Sequence, residues 1–112
     1  MKKINDIIIF IPTYNRNKSL IDCLKSIKKI KNNNLFKIKV FIVDNSITNN
    51  SFKIIKKFNK GSIIKIYQDH EKKRGIVFAR NKCLKLARKL KPKYLAFIDD
   101  DCKVDKNWLT NI

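Results

Sequence analysis

Glycine and proline are scarce in this 112-residue chain, with two of each at Gly61, Gly75, Pro12 and Pro92. The scarcity of glycine excludes the common phosphate loops. The residues after the first apolar run are Pro12-Thr-Tyr-Asn-Arg16, which contain neither the G-x-G-x-x-G of dinucleotide folds nor a Walker pattern. Cysteine occurs three times, at Cys23, Cys83 and Cys102, with no C-x-x-C pair. An odd, dispersed set argues against a disulfide framework or a zinc site and suits a reducing cytosol. The one histidine, His70, lies in a charged stretch and reads as exposed rather than catalytic. Long apolar runs are missing too: Ile7 to Ile11 is too short for the core of a signal peptide and has no small-residue cleavage site after it. Nothing approaches the ~20 apolar residues of a membrane span. The chain reads as soluble and cytoplasmic, or at most peripheral at the inner face of a membrane.

Acidic residues are few as well, 9 against 27 Lys and Arg, giving a net charge of +18. Such a balance suggests an anionic partner, whether nucleic acid, a membrane surface or a phosphorylated small molecule. Lys, Asn and Ile make up about half of the chain, however, a skew that follows from A/T-rich codons. The lysines are also spread over every amphipathic segment, without the aromatic-rich or helix-turn-helix signature of a nucleic-acid binder. Nucleic acid is therefore disfavoured as a partner. A hydrophobic fraction of 44% fits one globular domain with a real core.

The chain alternates strand and helix patterns. Ile7 to Ile11 is a continuous β-branched and aromatic run, the mark of a strand buried on both faces. After the Pro12 loop, Asn17 or Ser19 is expected to cap a helix, with Asp22 completing a capping box from Ser19. Its apolar stripe is Leu20, Ile21, Leu24, Ile27 and Ile30, and Asn32-Asn33-Asn34 breaks it. Phe36 to Val43 reads as a second strand ending at Asp44-Asn45-Ser46. Asn49, Asn50 or Ser51 caps a second helix with Phe52, Ile55 and Phe58 inward, stopped by Gly61. Ile63 to Tyr67 is expected as a third strand, and Gln68 to Arg74 as a charged loop closed by Gly75. A third helix, Ile76 to Leu90, presents Ala79, Cys83, Leu84, Ala87 and Leu90 and ends before Pro92. Tyr94 to Ile98 is a fourth apolar run, expected to be a buried strand, and it leads into Asp99-Asp100-Asp101.

This β-α-β-α-β-α-β order implies an α/β fold, a Rossmann-like α/β/α sandwich with a mainly parallel sheet and right-handed crossovers. Ligands bind such sheets beyond the carboxyl ends of the strands. Three polar clusters fall at those ends: Pro12 to Arg16, Asp44 to Ser46, and the Asp triplet. An isolated Asp triplet would read as a solvated turn, but convergence on one rim makes it a site. In an extended backbone Asp99 and Asp101 share one side and Asp100 faces the other. Converging carboxylates repel unless a cation lies between them, and a hard divalent ion such as Mg²⁺ or Mn²⁺ accepts their oxygens. Phosphoacceptor and dehalogenase-type folds carry their acidic residues after the first strand, whereas this triplet follows the fourth.

Ile11-Pro-Thr-Tyr-Asn-Arg16 resembles the opening of a family 2 glycosyltransferase, an inverting enzyme with the GT-A fold. Four further features match in order: Ile42-Val43-Asp44-Asn45-Ser46, Arg74-Gly75 with Ala79-Arg80-Asn81, Phe97-Ile98-Asp99-Asp100-Asp101, and Trp108-Leu109. The resemblance covers nearly the whole chain from Ile7 onward. It implies a nucleotide-diphospho-sugar donor and a Mg²⁺ or Mn²⁺ ion that bridges the diphosphate and acts as a Lewis acid on the leaving group. It makes Asp101 the direct metal ligand and places Asp99 between metal and ribose or sugar, with Asp100 in the substrate-binding set. Pro12, Thr13 and Tyr14 are implied to line the base and ribose pocket, Asp44 to accept a hydrogen bond from the base, and Arg80 to contact the nucleotide.

Bland roles stand beside these. Asp44 can simply cap a turn, Tyr14 can pack, and Lys72, Lys73 and Arg74 read best as a solvated charge run. Inverting transfer also needs a general base, which family members carry far downstream in an acceptor-binding half. Asp105 is too close to the metal pair to be that base. The chain is thus expected to be a donor-binding half, its partners a second half or another copy of itself, in synthesis of surface polysaccharide or glycan. The alternative is an inactive remnant or interaction module, marked by an exposed apolar sheet edge that associates with itself.

Overall fold

Five successive buried residues, Ile7 to Ile11, make the first strand the axis of the molecule. Strand β1 (Asn5–Thr13) is followed by α1 (Asn17–Lys28), β2 (Phe36–Asp44), α2 (Phe52–Asn59), β3 (Lys65–His70), α3 (Ile76–Leu90) and β4 (Tyr94–Phe97), with a 3-10 turn at Leu109–Asn111. This computed structural model describes residues 5–31, 36–48, 50–60 and 64–111. The expected helix breaker at 32–34 and the residues Asn49, Gly61 and Ile63 lie outside them.

The four strands form one sheet in the order β3-β2-β1-β4, and every pair is parallel. Ile9 pairs with Val40 on one side and Ala96 on the other, and Val40 pairs with Ile66. Alternation along β1 then feeds two layers. Ile7, Ile9 and Ile11 meet Leu20, Cys23, Leu24, Ile27 and Ile55 from the side of α1 and α2. Ile8 and Phe10 meet Ala79, Cys83 and Ala87 of α3 on the opposite face. These three small residues recur every four positions, so α3 rests close to the sheet along one row. Each fully buried Ile or Leu contributes about 1.5–3 kcal/mol relative to exposure.

Several expectations need correction. Strand β4 lies at the edge of the sheet, and Tyr94, Leu95 and Phe97 are 44%, 47% and 43% exposed, so an apolar run did not mean burial on both faces. Leu84 and Leu90 of α3 and Phe52 of α2 are likewise exposed, while Phe58 packs partly against the core. Strand β3 runs to His70 because the ladder pairs Asp44 with His70, satisfying backbone groups whatever the side chains. Helix α1 begins at Asn17 with Arg16 as its N-cap, and neither Asn17 nor Ser19 caps it through a side chain.

Candidate functional site

The strand order reverses at β1. From it the chain steps outward to β2 and β3, then crosses by α3 to β4 on the other flank. The carboxyl ends of β1 and β4 therefore lie side by side at the point where the strand order reverses, the place where open α/β sheets bind ligands. A cavity of about 500 Å³ occupies that place. One wall is the loop after β1, with Pro12, Thr13, Tyr14 and Arg16; the other is Asp99, Asp100 and Asp101 after β4. Asn45 after β2 and the start of α3, including Arg74, Gly75 and Arg80, complete it.

The Asp triplet is split in the way the alternation implied, although by a turn rather than a strand. Strand β4 stops at Phe97, and the Cys102 amide donates to the Asp99 carbonyl at 3.0 Å. Asp100 turns inward and is buried. Its Oδ2 accepts the Thr13 hydroxyl at 2.9 Å, and its Oδ1 lies 3.5 Å from Arg16 Nη1. Asp99 and Asp101 stay exposed, and their carboxylates with the Cys102 thiol offer ligand atoms within 4.8 Å of one another. Behind them Cys23 is buried, and burial, reinforced by the charges around Cys102, Asp100 and Asp101, pushes its thiol up to about 12.

The opposite wall is built by hydrogen bonds from Asn45. Its amide nitrogen donates to the carbonyls of Glu71 at 2.8 Å and Lys73 at 2.6 Å, its Oδ1 accepts the Gly75 amide at 2.9 Å, and its backbone amide donates to Thr13 at 2.8 Å. One side chain thus fixes the approach to α3. Gly75 holds φ +128°, which other residues rarely adopt, and so allows the turn into the helix. The turn brings Arg74 over the Tyr14 ring, 5.5 Å from its centre, where Nη2 donates to the Tyr14 hydroxyl at 2.6 Å.

Asp44 is fully buried and is not among the residues lining the cavity. Its Oδ1 accepts the Ser46 amide at 2.8 Å, and its Oδ2 accepts the amide and the hydroxyl of Ser51 at 2.9 and 2.5 Å. Burial would raise this carboxyl, but the bonds from Ser46 and Ser51 outweigh it and hold the group below the usual carboxylate value. His70 is half-buried, not the exposed side chain expected, and its Nε2 lies 2.6 Å from the Ser46 carbonyl. A carbonyl only accepts, so that nitrogen carries the proton and braces the loop.

Residues 8–112 match the model of glycosyl transferase family 2. The chain belongs to that family. An uncharacterised protein of Methanocaldococcus jannaschii is 32% identical over 96 residues, which cover 84% of this chain and 39% of that protein. The S. aureus protein TarS superposes with a TM-score of 0.74 at 25% identity, over 95% of this chain and 30% of the other. A mannosyltransferase from Pyrobaculum calidifontis, solved with GDP-Man and Mn²⁺, superposes at 0.77 with 18% identity, over 98% of this chain and 32% of its own. The family 2 chain therefore spans under two fifths of the length of these relatives, and its sheet has the GT-A fold of the two solved ones.

Of the residues the family resemblance singled out, the fold brings Pro12, Thr13, Tyr14, Arg80, Asp99, Asp100 and Asp101 to one cavity and leaves Asp44 behind the wall. Sequence reasoning missed Arg16, Asn45 and Arg74 as lining residues. Asn45 stood directly after β2 and Arg16 in the loop between β1 and α1, both inside matched motifs, and that position was the available signal. Arg74 stood in the matched Arg74-Gly75 pair but, beside Lys72 and Lys73, read as part of a solvated charge run.

Proposed function

We propose that this domain binds the nucleoside diphosphate part of a nucleotide sugar at the β1–β4 crevice, together with Mg²⁺ or Mn²⁺, as the donor-binding portion of an inverting glycosyl transfer. One observation carries this reading: two exposed carboxylates, Asp99 and Asp101, share a cavity with three arginines and an aromatic ring. Two converging carboxylates fit a hard divalent ion, which when bound would neutralise a departing diphosphate. Asp101 and Asp99 would hold it. Tyr14, braced by Arg74, offers a flat face to a base, and Pro12 and Thr13 border the ribose. Arg80 supplies a planar donor for phosphate oxygens. Asp44 serves this site by shaping the loop before α2, and its complete burial keeps it from a base in the cavity unless that loop shifts. TarS is solved with UDP and with UDP-GlcNAc and the mannosyltransferase with GDP-Man, which supports the ligand class without choosing base or sugar. A cytoplasmic position against an anionic membrane, and a role in surface glycan synthesis, belong to the same proposal.

Calorimetric titration with UDP and GDP, with and without Mn²⁺, tests it. Metal-dependent binding that disappears in Asp101→Ala is expected. Binding of neither nucleotide, or an unchanged metal dependence in the variant, would overturn the reading. A second reading, an interaction module that keeps the fold without the ligand, is favoured by the exposed apolar residues of β4.

A further inference from the structure

Arg16 is the cation that the acidic triplet already possesses. Its Nη1 lies 3.5 Å from Asp100 and 3.7 Å from Asp101, so one nitrogen is shared between two carboxylates. The two differ in their freedom. Asp100 is buried, holds the Thr13 hydroxyl, and needs a permanent counter-charge because an unpaired buried carboxylate is costly. The Asp101 side chain is 59% exposed, as is that of Arg16, so their pair can open at little cost. Asp101 is also the carboxylate that stands with Asp99 and Cys102. An ion entering that cluster would take oxygens that Arg16 now neutralises.

We infer that Arg16 is a placeholder cation and anion-binding residue: it neutralises Asp101 until a divalent ion takes that carboxylate, and, still anchored by Asp100, turns its freed N–H groups to the diphosphate. Both ion pairs are recorded at Nη1, and with five N–H donors a guanidinium can keep Asp100 and still reach a phosphate oxygen. The cavity lining holds three arginines and three aspartates, and its formal charges cancel before any ligand enters. Metal and diphosphate can then arrive together, adding opposite charges in turn, without leaving either set of side chains uncompensated. This device makes metal and nucleotide favour each other through one side chain, with no movement of the backbone.

The inference rests on the proposed metal–diphosphate site, and its test separates the two. Mn²⁺ alone is titrated into the wild-type chain, Arg16→Gln and Asp101→Asn, with the free ion read by electron paramagnetic resonance. UDP is then titrated calorimetrically at saturating Mn²⁺. Arg16→Gln should bind Mn²⁺ about two- to fivefold more tightly, the scale of an exposed ion pair removed as a competitor. It should bind UDP at least about tenfold more weakly, the scale of a lost charged hydrogen bond. Shifts of opposite sign are required, and any other combination in a folded variant overturns the inference. Arg16→Lys, which keeps the charge without the fork, should show the same signs with smaller shifts and serves if Arg16→Gln does not fold. Failure of the wild-type chain to bind Mn²⁺ would remove the site and the inference together. Binding that Asp101→Asn abolishes but Arg16→Gln leaves unchanged would remove the inference alone.

Discussion

The Thr13 hydroxyl donates to Asp100 across 2.9 Å and joins the carboxyl end of β1 to the turn after β4. Both side chains are buried, and 87 positions separate them in sequence. Replacing Thr13 with Val keeps the shape and removes the donor. The Asp100 carboxylate then loses its hydrogen bond while remaining shielded from water, at a cost of about 1–3 kcal/mol. Urea denaturation should show a lower midpoint with an unchanged slope. A midpoint equal to that of the wild-type chain would mean that water reaches Asp100 and the crevice is looser than this bond implies.

Asp44 should make the fold acid-sensitive. Its folded pKa is lowered, so its contribution is present in full above the unfolded value of about 3.9 and is lost as pH falls through the lower folded value. Asp44→Asn cannot offer two acceptor oxygens to the amides of Ser46 and Ser51 and the Ser51 hydroxyl. The variant should be less stable at neutral pH by about 3 kcal/mol and should lose part of the stability gradient below pH 4. Parallel stability–pH curves for the two proteins would show that Asp44 is not the titrating brace.

The three thiols should separate cleanly in alkylation. Cys23 and Cys83 are buried, and burial pushes both up to about 12, so they remain protonated and shielded at neutral pH. Cys102 is exposed. A maleimide should therefore label one thiol quickly in the native chain and the other two only on unfolding, as peptide mass mapping would show. Mn²⁺ should slow the labelling of Cys102 several-fold, because its sulfur lies beside the carboxylates of Asp99 and Asp101. Rapid labelling of all three would indicate that both layers, α1 on one face of the sheet and α3 on the other, open readily.

Much of this molecule was legible in its residues, for reasons that differ by element. Ile7 to Ile11 announced the central strand because a continuous run of β-branched and aromatic residues fits a strand buried on both faces. Ala79, Cys83 and Ala87 announced the inner row of α3 by spacing. The same logic failed at Tyr94 to Phe97, since an apolar run does not say whether a neighbouring strand covers it. In the site, the Asp triplet and Pro12-Thr-Tyr were readable because they end strands. The contacts of Arg16 and Arg74 were not, because their partners, Asp100 and Tyr14, lie far along the chain and meet them only in the fold. Asp44 looked like a ligand contact from its place in a motif, and only the positions of Ser46 and Ser51 reveal how its oxygens are used.

Strand β4 should make the isolated chain associate with itself. Leu95 and Phe97 pair with Ile8 and Phe10 and so point to the face covered by α3. Lys82 of α3 reaches Asp69 of β3 at 3.6 Å, which sets that flank of the helix toward β3. Leu84, about 200° further round at 100° per residue, falls on the β4 flank. The exposed Leu84, Leu95 and Phe97 thus border a free sheet edge, the arrangement that invites a second strand. A net charge of +18 opposes a pair of identical chains, and salt screens that repulsion. Sedimentation should therefore show association that grows with protein concentration and with salt, the opposite of the salt response of a nucleic-acid contact. Leu95→Lys places a charge on the edge and should reduce association, with stability changed by less than about 1 kcal/mol at so exposed a position. A wild-type chain that stays monomeric at high salt would show that the edge is too short, or too well shielded by its lysines, to recruit another strand.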